Sequence, residues 1–252
     1  MDHPTVNPTS GKTAAAGVWS FFDRIYCISL TQRTDRRHEA AAEFARVGLA
    51  DHVQYWLVDK HPHDSEQGIF ESHMSCLRHA LESGAQTILI FEDDIRLARF
   101  SPAVLENAVD FLRMNPHWHA FFLGCFVRKT YPTTHAAVLR VRFGCTTHAY
   151  AVSREFAQQL VTLPWQGVAF DDLLRERHDQ AMYALYPACA FQSDTSTDND
   201  KLLTIHRLRR LLGGMRRLQK WNEFRHYHAQ ALIIAHILAV LLVAVLVLLW
   251  RR

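Results

Sequence analysis

Thr87-Ile88-Leu89-Ile90-Phe91-Glu92-Asp93-Asp94 is an apolar, β-branched run closed by consecutive carboxylates, and its reading decides the fold. An apolar run without alternation suits a strand buried on both faces, as in a parallel sheet covered by helices. Its acids then fall at the strand's C-terminal end, where open α/β sheets bind their ligands. Crowding Glu92, Asp93 and Asp94 costs about 1 kcal/mol per close pair in water and several in a cleft of lower dielectric. A divalent cation reverses that cost. Hard oxygen ligands suit Mg²⁺ or Mn²⁺, which keep waters and reach a substrate's phosphates. The competing reading is a solvated acidic turn.

Working outward, residues 24–30 form a short β-rich run, and Ala41, Phe44, Ala45, Val47 and Leu49 follow at helical spacing until Gly48 ends the helix. Residues 52–58 supply a second strand. Ile69, Phe70, His73, Leu77, Ala80 and Leu81 trace one helix face that stops at Gly84. The order β, α, β, α, β predicts parallel pairing through right-handed crossovers, hence an α/β fold with a mostly parallel sheet flanked by helices. Ser101 and Pro102 read as an N-cap and first helical position, and residues 118–123 as a strand. Residues 136–143 and 146–152 predict an antiparallel ribbon. Ser153 then caps a helix that Pro164 ends, and 183–186 is a last short strand.

The C-terminal end is compositionally distinct. Residues 231–250 are apolar throughout except His236, and roughly 20 such residues cross about 30 Å of hydrocarbon. Leu, Ile, Val and Ala occupy every face, with Trp250, Arg251 and Arg252 as interfacial anchors, so this reads as a transmembrane helix rather than a core helix. Before it Arg207, Arg209, Arg210, Arg216, Arg217, Lys220 and Arg225 face only Glu223, between leucines at spacings of three and four. That predicts a basic amphipathic segment on an anionic membrane surface, in preference to a nucleic-acid patch. The basic flank places the large domain in the cytoplasm by the positive-inside rule, a tail-anchored topology. The expected division is a disordered tail over 1–20, a catalytic domain over 21–200, a juxtamembrane segment over 201–228 and an anchor over 229–252.

Cys27, Cys76, Cys125, Cys145 and Cys189 are odd in number, scattered and without a CxxC, which predicts reduced core thiols. The 16 histidines include His61-Pro62-His63 and His117-Trp118-His119, but no strong zinc-ligand spacing. Arg33, Arg36 and Arg37 after the first strand are placed to clamp a diphosphate through charge-assisted, often bidentate bonds. The competing reading is a solvated polar helix start, where clustered arginines are slightly disfavoured by the helix dipole.

Taken together, several segments resemble family 25 glycosyltransferases, the lipopolysaccharide-type and collagen-type galactosyltransferases. They are Ile25-Tyr26-Cys27-Ile28-Ser29-Leu30 with Arg33 and Arg36, Gly68-Ile69-Phe70-Glu71-Ser72-His73, Ile90-Phe91-Glu92-Asp93-Asp94 and Phe121-Phe122-Leu123-Gly124. Thr147-His148-Ala149-Tyr150-Ala151-Val152-Ser153, Phe170-Asp171-Asp172 and Tyr186-Pro187 with Gln192 and Ser193 continue the likeness. The resemblance implies a GT-A type fold, a nucleotide-diphosphate sugar donor such as a UDP-hexose, and a divalent metal. It implies that Asp94 with Glu92 or Asp93 holds the metal, that Arg33 and Arg36 lie near the nucleotide, and that Ser72 and His73 lie near the donor pocket. Asp171 or Asp172 matches the family's later acid, with Ala169-Phe170 in place of the proline and aliphatic residue of that motif.

Glycosyl transfer needs stabilisation of a departing nucleoside diphosphate and a base for the acceptor hydroxyl. The expected base of a metal-assisted inverting displacement is Asp171 or Asp172; the alternative is that both are ordinary acids of a helix start. The expected acceptor is a glycan, lipid-linked or protein hydroxyl, and the expected hexose is galactose. A metal-dependent phosphohydrolase or nucleotidyltransferase would use the same acids, and an inactive membrane adaptor would use none of them.

Overall fold

The computed structural model describes residues 17–177, 180–193 and 213–250. Residues 1–16 of the tail expected over 1–20 and the first part of the basic segment, including Arg207, Arg209 and Arg210, lie outside the described residues. Trp19 is fully buried and its indole donates to the Val47 carbonyl at 3.0 Å, so residues 17–20 belong to the packed domain.

The chain runs β1 Arg24–Leu30, α1 Thr34–Arg46, β2 Val53–Val58, α2 Ser65–Glu82, β3 Thr87–Glu92, β4 Ile95–Arg96 and α3 Pro102–Met114. It continues with β5 Ala120–Phe122, β6 Phe126–Pro132, β7 Val138–Cys145, β8 Ala149–Ser153, α4 Arg154–Leu160 and α5 Phe170–Arg175. Last come β9 Met182–Leu185, β10 Phe191–Gln192, α6 Met215–Tyr227 and α7 Ala229–Trp250. Among the described residues ten strands form an eight-stranded sheet of order β2-β1-β3-β8-β5-β9-β7-β6 and a small sheet of β10 with β4. The α/β class, with helices flanking the sheet, is as the sequence predicts.

Pairing is parallel for β2–β1, β1–β3 and β5–β9, the first three strands being linked by α1 and α2 as the β-α-β-α-β order requires. Strand β8 runs antiparallel between β3 and β5, and β7 runs antiparallel between β9 and β6. The ribbon expected from 136–143 and 146–152 therefore does not form. Thr146 takes a positive φ of 75° and turns the chain out of β7, and every residue of β8 is buried, which suits the middle of the sheet rather than a two-stranded edge.

Side chains of β3 supply both faces, as an unalternating run should. Leu89 and Phe91 enter one core with Phe44, Leu105, Phe111 and Phe121; Ile88 and Ile90 enter the other with Met74, Leu77, Phe122 and Phe156. Asp64 caps α2 by accepting from the Glu66 and Gln67 amides, and Ser153 caps α4 at the Phe156 amide. Ser101 precedes Pro102 at the start of α3, although its side chain makes no capping bond.

Helix α6 is docked on the sheet's end. Gln219 is buried and donates to the Ala190 carbonyl at 2.9 Å, Tyr227 stacks on Tyr186 with ring centroids 3.9 Å apart, and Arg99 pairs with Glu223 at 2.8 Å. Close approach depends on Gly124, where a Cβ would meet the Ala190 carbonyl oxygen at 1.9 Å and the Gln219 amide at 2.7 Å. Only His228 separates α6 from α7. Helix α7 has 22 residues, none buried, and is long and apolar enough to span a membrane. All five cysteines are free thiols, and only Cys145 is not buried.

Candidate active site

Three backbone facts bring the polar residues together. The parallel pair β1–β3 sets Ile28 beside Glu92, so the next residues, Ser29 and Asp93, meet beyond the paired strands. Because β8 is antiparallel to β3, its beginning lies against the end of β3: Phe91 faces Ala149, and the Glu92 amide donates to the His148 carbonyl at 3.0 Å. The loop before β8 thereby carries Thr147 to Glu92. Helix α5 then begins across the opening, with the Phe170 ring stacked on His73 at 4.3 Å and nearly parallel to it, which aims Asp171 inward.

These residues enclose a cavity of about 500 Å³ at the C-terminal edge of β1 and β3. Its lining includes Glu92, Asp93, Asp94, Arg36, Ser72, His73, Asp171 and Asp172, eight of the ten residues singled out from the sequence, and leaves out Arg37. Arg33 is outside the lining. It pairs with the exposed Asp35 at 2.9 Å, yet its charge still reaches Asp94.

The three consecutive acids do different things. Asp93 is buried, accepting from the Ser29 hydroxyl at 2.6 Å and from Arg36 at 3.1 Å. Its burial pushes the carboxyl up, against the pull of Ser29 and Arg36. Asp94 accepts from Gln192 through Oδ2 at 2.9 Å, while its buried Oδ1 has no partner. Glu92 Oε1 lies 3.0 Å from the Thr147 hydroxyl and 3.7 Å from His73 Nε2. Burial, followed by Asp94 and Asp171, raises the Glu92 carboxyl well above the usual range.

Asp171 and Asp172 separate cleanly. Asp171 accepts from the Thr146 amide at 2.7 Å and lies 2.9 Å from the same Thr147 hydroxyl, and burial raises its carboxyl. Asp172 pairs with Arg175 one helical turn on, at 2.6 Å. A hydroxyl has one proton to donate, so Thr147 satisfies both Glu92 and Asp171 only when one of those carboxyls is protonated and donates to it. The raised carboxyls agree with a proton held between them.

Ser72 and His73 are less available. The Ser72 hydroxyl donates to the Gly68 carbonyl within α2 at 2.6 Å. His73 is buried under Glu92, with Nδ1 2.9 Å from the Tyr150 hydroxyl, and desolvation lowers it to about 3, so it is neutral at ordinary pH. Arg37 turns away from the cavity to the Leu30 and Thr31 carbonyls, at 2.6 and 2.9 Å, and closes the end of β1.

Among the described residues no three His, Cys, Asp or Glu side chains converge to hold a metal ion, so the acidic triplet is not one ligand set. Consecutive residues at a strand end point to different sides, and Asp93 goes to Arg36. Glu92 and Asp94 remain, and they fit a hard divalent cation. Asp94 Oδ1 lacks any hydrogen-bond donor, and the crowded carboxylates repel each other. Mg²⁺ and Mn²⁺ are commonly held by one or two carboxylates plus phosphate oxygens and water.

Thr147, Ser29, Gln192, Asp59, Lys60 and Arg175 also line the cavity and were not singled out as site residues. Ser29 alone carried a usable signal, a polar residue inside an apolar strand. The others depend on strand register and on loops that return from distant sequence.

No family model matches this chain, and no curated protein matches it. Among solved structures it is similar to A197 from STIV, at 14% identity and a TM-score of 0.46 over 67% of this chain and 85% of that one. It is also similar to the nucleoside-diphosphate-sugar pyrophosphorylase from Vibrio cholerae RC9, at 12% identity and TM-score 0.37 over 76% and 84% of the two chains. A third is a glycosyltransferase involved in glycosylation of the major capsid of PBCV-1, at 11% identity and TM-score 0.33 over 54% and 63%.

Proposed function

We propose that the protein is a transferase using a nucleotide-diphosphate sugar, and more finely a glycosyltransferase that moves a hexose to a glycan, lipid-linked or protein hydroxyl. The observation that carries this reading is the meeting of Glu92, Asp94, Asp171 and Arg36 in one cavity of about 500 Å³, with Asp94 Oδ1 left without a partner. That volume lies within the usual range for small-ligand sites.

Arg36, already oriented by Asp93, contributes fixed positive charge beside the diphosphate. Glu92 and Asp94 would hold Mn²⁺ or Mg²⁺. When bound, that ion neutralises charge developing on the leaving diphosphate. Asp171 removes the acceptor proton: it faces the cavity, burial raises its carboxyl and so its affinity for that proton, and Thr147 fixes its orientation. Asp172, tied to Arg175, stabilises the start of α5. Helix α7 anchors the enzyme in a membrane with the domain on the cytoplasmic side, and a membrane-borne acceptor follows from that placement.

The test is a donor screen with the full chain in detergent, using radiolabelled UDP-, GDP- and CMP-sugars with and without Mn²⁺ and a membrane lipid and glycan extract as acceptor. Label should move to acceptor, and Asp171→Asn should lower transfer about 10²- to 10⁴-fold, as loss of a general base does. Asp94→Asn should abolish the Mn²⁺ dependence. Label released only to water assigns the cavity to hydrolysis, and Mn²⁺-dependent transfer by Asp94→Asn removes the metal assignment.

A further inference from the structure

Strand β6 is a free edge of the large sheet, and α6 covers part of it. The Asn222 side chain accepts from the Val127 amide at 2.8 Å and donates to the Val127 carbonyl at 3.0 Å, imitating a neighbouring strand. Further along, the Thr130 hydroxyl donates to the His226 carbonyl at 3.0 Å. His226 precedes Ala229, the first residue of α7, by about 4.5 Å of helix rise. The β6–β7 ribbon is thus bonded to the turn that leads into the apolar helix.

One face of that ribbon is basic. Lys129 stands opposite Arg142 and Tyr131 opposite Arg140, while Val141 and Phe143 are buried on the other face. Lys129, Arg140 and Arg142 are exposed, and among the described residues none meets a carboxylate; Lys129 lies 4.9 Å from the centre of the Tyr131 ring. Like charges directly opposite one another destabilise an antiparallel pair. Folding alone gives no reason to set Lys129 against Arg142.

On α6 the outward residues are amphipathic. Trp221 is 62% and Phe224 46% exposed, with ring centroids 6.0 Å apart, and Arg225 is exposed beside them. Phe224 lies about 7.5 Å and Trp221 about 12 Å before Ala229 along the helix. The headgroup region adds about 5 to 7 Å outside the hydrocarbon on each side. Phe224 thus stands at the outer limit of the headgroups and Trp221 just beyond it, and aromatic rings with cations around them suit the outer side of a bilayer surface.

We propose that the exposed face of the β6–β7 ribbon, with the last two turns of α6, is a seat for the headgroups of an anionic bilayer. It holds the domain against the membrane that α7 enters. Anionic lipid is the occupant because the cations are uncompensated and the surface is continuous with the apolar helix. This rests on the anchoring of α7 and not on the reaction in the cavity.

The test uses the full chain in nanodiscs of phosphatidylcholine alone or mixed with phosphatidylserine, with p-benzoylphenylalanine replacing Tyr131. As a control it replaces Leu57, which is 53% exposed on β2 at the opposite edge of the sheet. After irradiation, intact mass should show phosphatidylserine adducts about fivefold more abundant at position 131 than at 57, as polybasic attraction to that lipid requires. Lys129→Glu, Arg140→Glu and Arg142→Glu together, or about 0.5 M salt, should remove the excess through charge reversal or screening. Equal yields at 131 and 57, or equal yields with and without phosphatidylserine, overturn the proposal, and that comparison holds whether or not the triple variant folds. Tight oligonucleotide binding lost in the triple variant, without lipid adducts at 131, assigns the face to a different polyanion and also overturns it.

Discussion

Three carboxylates gather at the end of β3, and Lys129, Arg140 and Arg142, three of the four cations of the β6–β7 ribbon, share one face; the protein holds the two clusters in opposite ways. At β3 each acid has its own polar partner: Arg36 and Ser29 on Asp93, Gln192 on Asp94, Thr147 at Glu92. On the ribbon Lys129, Arg140 and Arg142 are left to solvent. The difference is dielectric: inside a cavity a charge must be paired, protonated or bound to a counter-ion, whereas in water the same crowding costs little. Buried like charge therefore points to a ligand that completes the site, and exposed like charge to a partner surface.

The contrast breaks first at Arg36. Arg36→Leu strands the buried Asp93 and should cost about 3 to 5 kcal/mol, measured by urea unfolding in detergent. A loss as small as a surface substitution gives would mean that Asp93 is solvated. Histidine burial sharpens the same point. His148 is fully buried and lowered by desolvation to about 4, so its contribution is complete above pH 6.5 and is lost as pH falls toward 4. Between pH 6.5 and 5, His148→Phe should therefore lose about 2 kcal/mol less stability than wild type, at 1.36 kcal/mol per unit of pKa shift. Equal losses in the two proteins would show a protonated or hydrated ring. The raised carboxyls of Glu92 and Asp171 act with the opposite sign, gaining stability as pH falls, so the variant difference is the informative quantity.

Removing one charge from the acidic cluster should help the empty protein. Asp94→Asn is expected to stabilise it by about 1 kcal/mol, through relief of repulsion, while eliminating the thermal shift with UDP and Mn²⁺. In wild type that shift corresponds to about 2.7 kcal/mol at a hundred times the dissociation constant. The smallest effect belongs to the ribbon, where Lys129→Ala or Arg142→Ala should change stability by no more than about 0.5 kcal/mol in detergent. A larger change there would give the cations a structural duty.

What was legible in the sequence followed from local periodicity. The apolar run ending at Phe91, the helix face from Ile69 to Leu81 and the all-apolar stretch of α7 each declare their environment within a few turns or residues. The ribbon expected over 136–152 failed because alternation marks a strand without naming its neighbours. Strand β8 joins β3 and β5, and that register alone places Thr147 between Glu92 and Asp171. Asp171 and Asp172 were likewise indistinguishable until Phe170 stacked on His73 fixed the rotation of α5. Docking of α6 left no readable sign either, since Gln219 and Asn222 look like ordinary solvent-facing residues of a basic helix.

Gly124 carries a consequence for handling the molecule. Its missing Cβ lets Gln219 reach Ala190, so α6 completes the wall behind β10 instead of trailing from it. A truncation that stops before Met215 would leave a notch where Gln219, Asn222 and Tyr227 now fit, and the remainder should precipitate or lose its shape. Stopping at His228 removes only the greasy shaft. The useful scissor point for a soluble version therefore lies one residue from the apolar helix, well past the onset of the arginine-rich stretch.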